Sequence, residues 1–302
     1  MGNLIAFGWY GGKYSHLSWL LPLLPQTTHY CEPFGGSAAV LLNRLPSPVE
    51  TYNDIYSEVV TFFRVLREHK ETLIEQIGLT PFSREEFEKA IALPTEAISD
   101  IERARRFYIV ARQVRTGLAS KASGGRWAHC LLTSRAGMAG AVSRWLGAVE
   151  DLGLIAQRLL RVQIENAPAL EVIKRYDSSE TLFYCDPPYP HDSRSDNNAY
   201  SFEMTSTQHR ELSETLHHVS GKVAVSSYDS PLMEELFQGW YCTKGPFKQI
   251  PSSKAIRQEV LWTNYDPKEV MQEWQHQQET SPQLDRELSL SESTSKPLTI
   301  AT

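Results

Sequence analysis

The residues best equipped for chemistry are Asp186-Pro187-Pro188-Tyr189. They put one carboxylate, stiff backbone carbonyls and one aromatic ring within four positions. Neither proline can donate to a ladder, and the second keeps the first extended rather than helical. A flat heterocycle bearing an amino group suits such a loop. Its amine protons could go to Asp186 and to the Pro187 carbonyl, and its ring could lie against Tyr189. Taken alone, the four residues also read as a strand-ending turn, so their weight depends on what accompanies them. Two glycine turns do. Gly8-Trp9-Tyr10-Gly11-Gly12-Lys13 lets backbone approach a ligand closely, with the Trp9 ring and the Lys13 cation beside it. Glu32-Pro33-Phe34-Gly35-Gly36-Ser37 follows, and Asp54 lies 18 positions beyond Gly36.

The elements that must position these residues alternate as in an open α/β sheet. Residues 28–31 read as a strand, then comes the second glycine turn, then a helical run over 38–45. Strand, glycine turn and helix open a nucleotide-binding βαβ unit, and helix amides there accept a carboxylate or phosphate. The pattern is not Gly-x-Gly-x-x-Gly, so a dinucleotide pyrophosphate is not indicated. A second strand over 50–53 ends at Asp54, placed to bond ribose hydroxyls and equally able to cap the helix that begins near Ser57.

From 57 to about 114 the periodicity is helical, with Val59, Phe62, Phe63 and Leu66 on one face. This stretch, extended to about 160, interrupts the alternation and reads as an insertion packed against the sheet. Alternation then resumes: a strand over 161–164, a helix over 169–176, and an apolar strand over 181–185 that delivers Asp186 to a carboxyl end, where such sheets place ligands. The polar, glycine-free segment 191–201 is expected as a flap. Thr205-Ser206-Thr207-Gln208 is a capping box. A strand over 222–228, a helix over 231–240 and two closing strands over 241–247 and 258–265 complete the reading. Beyond 266 the composition turns to Gln, Glu, Ser and Thr, and a disordered acidic tail is expected.

At 302 residues the chain can bury a full core and hold one inserted subdomain. No apolar run approaches a membrane span, and the N-terminus does not read as a secretory signal. Four separated cysteines, Cys31, Cys130, Cys185 and Cys242, have neither metal-ligand spacing nor a disulfide framework, which fits a reducing cytosol and no metal. The net charge of −6 is uneven. Residues 101–148 hold nine bases and one acid, and residues 266–302 hold seven acids and three bases. A basic middle is the footprint expected for phosphate binding.

In this order the pieces resemble the Dam-like, or D12, class of adenine-specific DNA methyltransferases. Trp9-Tyr10-Gly11-Gly12-Lys13 looks like the N-terminal cofactor motif of that family. Glu32-Pro33-Phe34-Gly35-Gly36-Ser37 looks like its glycine motif, Asp54 like its ribose acid and Asp186-Pro187-Pro188-Tyr189 like its catalytic motif. Segments 203–205 and 257–262 also look like later family segments. The resemblance spans about residues 3–265 and implies a Rossmann-like, mostly parallel sheet with an inserted helical recognition subdomain. Residues 1–56 and 161–265 would be the catalytic domain, 57–160 the recognition insert.

The resemblance implies S-adenosylmethionine as cofactor, held by Trp9, Lys13, Phe34, Gly35, Gly36, Asp54 and Asp186. It implies duplex DNA as partner, with methyl transfer to a flipped-out adenine at Asp186, Pro187 and Tyr189. Within the basic insert, Arg112, Arg115, Lys121 and Arg126 are the candidate DNA contacts. The insert carries Val110-Ala111-Arg112-Gln113-Val114-Arg115-Thr116-Gly117 where the family often has Leu-Asn-Arg with an aromatic and a glycine, so the target sequence stays open. So does the choice between a solitary enzyme and one paired with an endonuclease. The alternatives are transfer to the exocyclic amine of cytosine and a non-catalytic DNA-binding module on the same scaffold.

Overall fold

The computed structural model describes residues 3–115, 124–190, 202–249 and 256–276. In chain order the strands are β1 (His29–Glu32), β2 (Val49–Asn53), β3 (Ser134–Arg135), β4 (Met138–Ala139), β5 (Val162–Glu165), β6 (Thr181–Cys185), β7 (Lys222–Tyr228), β8 (Tyr241–Gln249) and β9 (Ile256–Thr263). The short β3 and β4 pair with each other, and the other seven form one sheet in the order β5-β2-β1-β6-β7-β9-β8. The first five run parallel; β9 is antiparallel to β7, and β8 to β9. After β1 the chain moves outward to β2 and β5, then returns to the other side of β1 as β6. The order therefore switches between β1 and β6, and ligands of open α/β sheets bind at the carboxyl ends flanking such a switch.

The sheet is buried on both faces, and the sequence alternation sorts the side chains between them. Tyr30, Tyr52, Leu182, Tyr184 and Ala224 face one cluster. Cys31, Phe183, Cys185, Val223 and Val225 face the other. This period of two is what a pleated strand imposes.

The first face is covered by α1 (Leu17–Leu20), α2 (Ala39–Asn43), α3 (Ser57–Glu68), α4 (Lys70–Leu79), α5 (Arg84–Ile91), α6 (Asp100–Gln113) and α7 (Gly140–Leu159). Residues 57–160 thus share one continuous core with the sheet: Phe62 stacks on Tyr108 at 5.3 Å, and Phe63 meets Tyr52 edge-on at 5.2 Å. The last turn of α7 is fixed beneath the sheet. Arg158 grips the fully buried Glu50 of β2 at 2.5 and 2.7 Å, and Arg44 approaches the same carboxylate at 3.7 Å. The second face is covered by α8 (Ala169–Tyr176), α9 (Ser206–His217) and α10 (Pro231–Leu236).

The capping box at α9 forms: Thr205 Oγ1 accepts from Gln208 N at 3.2 Å, and Gln208 Oε1 accepts from Thr205 N at 2.9 Å. The glycine turn at 8–13 reads as leading into a helix over 15–24, and that helix and the one expected over 231–240 are both shorter than the pattern suggests. Residues 15–24 break into α1 and flanking 3-10 turns, because Pro22 has no amide to continue the helix. The helix expected over 231–240 stops at Leu236, before Gly239 at φ 88°. The tail differs in the other direction. Residues 267–276 are helical, and Val270 is 7% exposed, so order extends past the composition change at Asp266. The rest of the expected tail lies outside the described residues. Among the described residues no helix is long and apolar enough to cross a membrane.

Candidate active site

Both motifs at the switch point open into one cavity of about 630 Å³. Its floor is the turn that follows β1. Gly35 N donates to Asn53 O at 2.7 Å, so the turn lies directly against the end of β2. A Cβ on Gly35 would stand 2.2 Å from the buried Tyr52 ring, which is why a glycine is required there. Gly36 has φ +48°, and the Trp9 indole occupies the place its Cβ would take, 2.6 Å away. Two side chains clamp the turn: Tyr52 OH donates to Gly36 O at 2.7 Å, and Asp54 Oδ2 accepts from Gly36 N at 2.8 Å. Asp54 Oδ1 also accepts from Tyr56 N at 2.8 Å. Burial pushes the Asp54 carboxyl up, and these amide bonds oppose the shift. Asp54 therefore braces the glycine turn while still lining the cavity.

Across the cavity stands Asp186, at the carboxyl end of β6. Lys13, carried by the 3-10 turn after the first glycine loop, reaches it with Nζ 2.7 Å from each carboxylate oxygen. The Lys13 side chain is 3% exposed and that of Asp186 17%. Lys13 Nζ also donates to Gly11 O at 2.6 Å and lies 3.3 Å from Glu259 Oε1. Burial alone would lower the Lys13 pKa; Asp186 and Glu259 outweigh it and raise it, so the ammonium is held charged. Burial raises the Asp186 carboxyl to about 6, with Lys13 pulling it down and Glu259 pushing it up.

Tyr189 does not offer the open face expected of it. Its ring is 2% exposed and is absent from the cavity wall. The hydroxyl donates to Glu259, the Lys13 ammonium lies 5.0 Å from the ring centre, and Tyr228 packs edge-on at 4.7 Å. The ring is committed on several sides, so Tyr189 is tied into the acid–lysine cluster instead. Pro187 is buried, and the cavity wall takes Asp186 and Pro188 from this loop.

The remaining expected residues Trp9, Lys13, Phe34, Gly35 and Gly36 all line the cavity. So does Glu32, which opens the second glycine motif. It is 2% exposed and accepts from Tyr30 OH at 2.6 Å. Burial raises its carboxyl to about 8, against the hydrogen bond from Tyr30. Ile55, Tyr56, Pro168 and Leu170 form an apolar wall, and Phe202 at the rim lies 5.7 Å from Tyr56. Glu259, within the 257–262 segment, carries no role of its own in the motif reading. The signal available was a lone acid in a strand otherwise apolar from Val260 to Trp262, where an unpaired charge is costly. Among the described residues no group of three or more His, Cys, Asp or Glu side chains could hold a metal ion.

The basic stretch divides in two. Arg103 pairs with Glu58 at 2.6 Å and Asp100 at 3.2 Å. Arg105 pairs with Glu102 at 2.7 Å and Glu86 at 3.2 Å, and Arg106 with Glu102 at 2.8 Å. Counting charge along the chain missed Glu58, Glu86 and Asp100 because they come from outside the window and meet it only in the fold. Arg103 ties α6 to α3 and Arg105 ties it to α5, while Arg106 pairs within α6. Arg112 is turned to structure as well: its guanidinium donates to Arg144 O at 2.9 Å and ties the end of α6 to the start of α7. There Ala128 N donates to Gln113 O at 2.8 Å, and Trp127 Nε1 to Gln113 Oε1 at 3.0 Å. Arg115 is exposed just past α6, Arg126 lies in a 3-10 turn, and Arg135 is exposed on β3. Lys121 and the expected flap over 191–201 lie outside the described residues.

A family model described as D12 class N6 adenine-specific DNA methyltransferase matches residues 9–258. No curated protein matches the chain.

Proposed function

The chain belongs to the D12 class of N6 adenine-specific DNA methyltransferases, and from that premise we propose how its own residues carry out the reaction. Enzymes of this class depend on S-adenosylmethionine, and their substrate is DNA. The residues around the cavity fit that cofactor. The glycine turn without Cβ atoms presents backbone, the apolar wall of Ile55, Tyr56 and Pro168 suits a flat purine, and Asp54 reaches the wall beside it. Glu32, buried at the same wall, is the group for the cationic amine of a methionine moiety. When bound, the cofactor supplies an electrophilic methyl group.

The target amine must reach Asp186, which is recessed in the protein, so the adenine leaves the duplex. Flipping costs a few kcal/mol of stacking and pairing. Asp186 accepts a hydrogen bond from the exocyclic amine and orients it, and the Pro187 carbonyl is the partner for its second proton. That geometry favours a pyramidal nitrogen over one whose lone pair is delocalised into the ring. As the nitrogen gains its methyl group it gives up a proton, and Asp186 is the acceptor at hand. Lys13 holds Asp186 in place throughout, so the site supplies orientation and preorganised charge.

The observation that carries this reading is the shared cavity: the glycine turn after β1 and the Asp186 carboxylate after β6 face one space. The test is incubation of unmethylated plasmid DNA with S-adenosylmethionine and the enzyme or its Asp186→Asn variant, followed by nucleoside mass spectrometry. N6-methyl-2′-deoxyadenosine from the wild type, and a rate lower by at least about 100-fold in the variant, are expected. Equal methylation by both would remove Asp186 from the mechanism.

A further inference from the structure

A buried cluster that needed only to fix Asp186 would be complete with Lys13, one cation for one carboxylate. This cluster holds a second carboxylate. Glu259 projects from β9, where it pairs across the ladder with Tyr228 of β7. It is 4% exposed. Its Oε1 accepts from Tyr189 OH and stands 3.3 Å from Lys13 Nζ. Burying an additional negative charge is costly, and a glutamine could accept the Tyr189 hydroxyl without that cost. The charge therefore asks for a function of its own.

We propose that Glu259 is a positioning residue for methyl transfer: it shares the Lys13 ammonium with Asp186, so that Lys13 holds the Asp186 carboxylate without fully neutralising it. Through Tyr189 the same carboxylate pins the back of the Asp186 loop to β9. The inference rests on the reading that Asp186 receives the adenine amine. A carboxylate paired with an unshared lysine is a weaker acceptor for that amine and for its departing proton. A second anion beside the lysine restores acceptor strength.

The other titratable groups facing this cluster, among the described residues, are Glu32 from β1, Tyr184 and Cys185 from β6, and Tyr228 from β7. The Tyr184 and Cys185 groups are raised by burial and stay neutral across the working range. Glu32, raised to about 8 by burial, faces the cofactor's amine on the proposed reading and is the same in wild type and Glu259→Gln. Lys13 touches both Asp186 and Glu259, so Glu259 is the neighbour that shares the cation holding Asp186.

The experiment compares full-length wild type, Glu259→Gln and Asp186→Asn. It follows transfer of labelled methyl groups into unmethylated plasmid DNA from pH 5 to 9, with thermal denaturation and S-adenosylmethionine binding measured alongside. Glu259→Gln keeps an acceptor for Tyr189 and loses the charge. It should bind the cofactor within about twofold of wild type and lose about 10-fold to 100-fold in kcat. Its acid limb should move to lower pH, by about one unit, because Lys13 then acts on Asp186 alone. A folded Glu259→Gln enzyme with wild-type kcat and an unmoved limb would overturn the proposal. So would a fall in kcat that tracks melting temperature with the limb unmoved. Should Glu259→Gln not accumulate as folded protein, Tyr189→Phe carries the test. It keeps the Glu259 charge and loses the pin, and the lost hydroxyl also helps hold the Asp186 carboxyl down, so kcat should fall and the acid limb should not move to lower pH; wild-type kcat would overturn the proposal. Wild-type activity in Asp186→Asn would instead overturn the underlying reading of Asp186.

Discussion

Lys13 and Asp186 lie 173 positions apart in the chain and meet as an ion pair 2.7 Å long, with the lysine almost wholly buried. The pair joins the first glycine loop to the loop after β6, so one contact assembles two walls of the cavity. Lys13→Met leaves Asp186 and Glu259 facing each other without a cation. Removing one partner of a buried pair costs ~3–5 kcal/mol, and the partial exposure of Asp186 places this case toward the lower end. The deficit should shrink at low pH, where protonating a carboxylate relieves the uncompensated charge. Urea denaturation of both proteins at pH 5 and pH 8 checks this, with the larger deficit expected at pH 8.

Activity should fall as pH drops through about 6, because Asp186 takes up a proton there and its lone pairs are no longer free to accept the amine. The check is kcat/KM measured with plasmid DNA between pH 5 and 8. A plateau extending unchanged to pH 5 would remove Asp186 as the group that sets the limb.

Glu32 gives a stability prediction with a definite sign. Its folded carboxyl sits at about 8, above its ordinary value, so the folded state binds the proton more tightly than the unfolded state does. The resulting stability is fully present at acid pH and is lost as pH rises through about 8. Glu32→Gln removes the titration. The melting temperature of the wild type should fall relative to that of the variant between pH 6 and 9, and parallel curves would contradict the assignment.

The glycine turn separates two kinds of strain. Gly36→Ala forces a residue with a Cβ to adopt φ +48° and pushes on the Trp9 indole, which borders the cavity. The backbone term alone is ~1–2 kcal/mol. Gly35→Ala drives a methyl group into the buried Tyr52 ring, an overpacking of ~1–3 kcal/mol. Both should weaken S-adenosylmethionine binding by calorimetry.

The arginines should divide as the structure divides them. Arg103 is paired with two acids, and its side chain is 32% exposed; Arg103→Ala should cost at most ~1 kcal/mol of stability and leave DNA affinity unchanged. Arg135→Ala on the exposed β3 should leave stability unchanged, weaken DNA binding, and reduce the salt slope by about one. Titrations of duplex DNA at several salt concentrations check both.

Much of this was legible in the sequence because it is local. Strands β6 and β7, helix α8 and the α9 capping box follow from periodicity and cap residues within a few positions. The second glycine turn, Asp54 and Asp186 converge on one cavity because a parallel sheet sends its strand ends to one edge. What the sequence hid depends on distant partners. Lys13 reads in sequence as a cation beside the cofactor, and only the fold brings Asp186 to it. Tyr189 looked like a free ring because Glu259, 70 positions later, cannot be foreseen as the acceptor of its hydroxyl. The arginines of α6 looked unpaired for the same reason.

The tie between Arg112 and Arg144 has an evolutionary corollary. The chain between Gln113 and Gly140 departs from and returns to a fastened base, while the far end of α7 is moored on Glu50. Closing a longer excursion from such a base costs only slowly rising entropy. This portion can then be lengthened, shortened or exchanged as a cassette without disturbing the cavity at the sheet's edge.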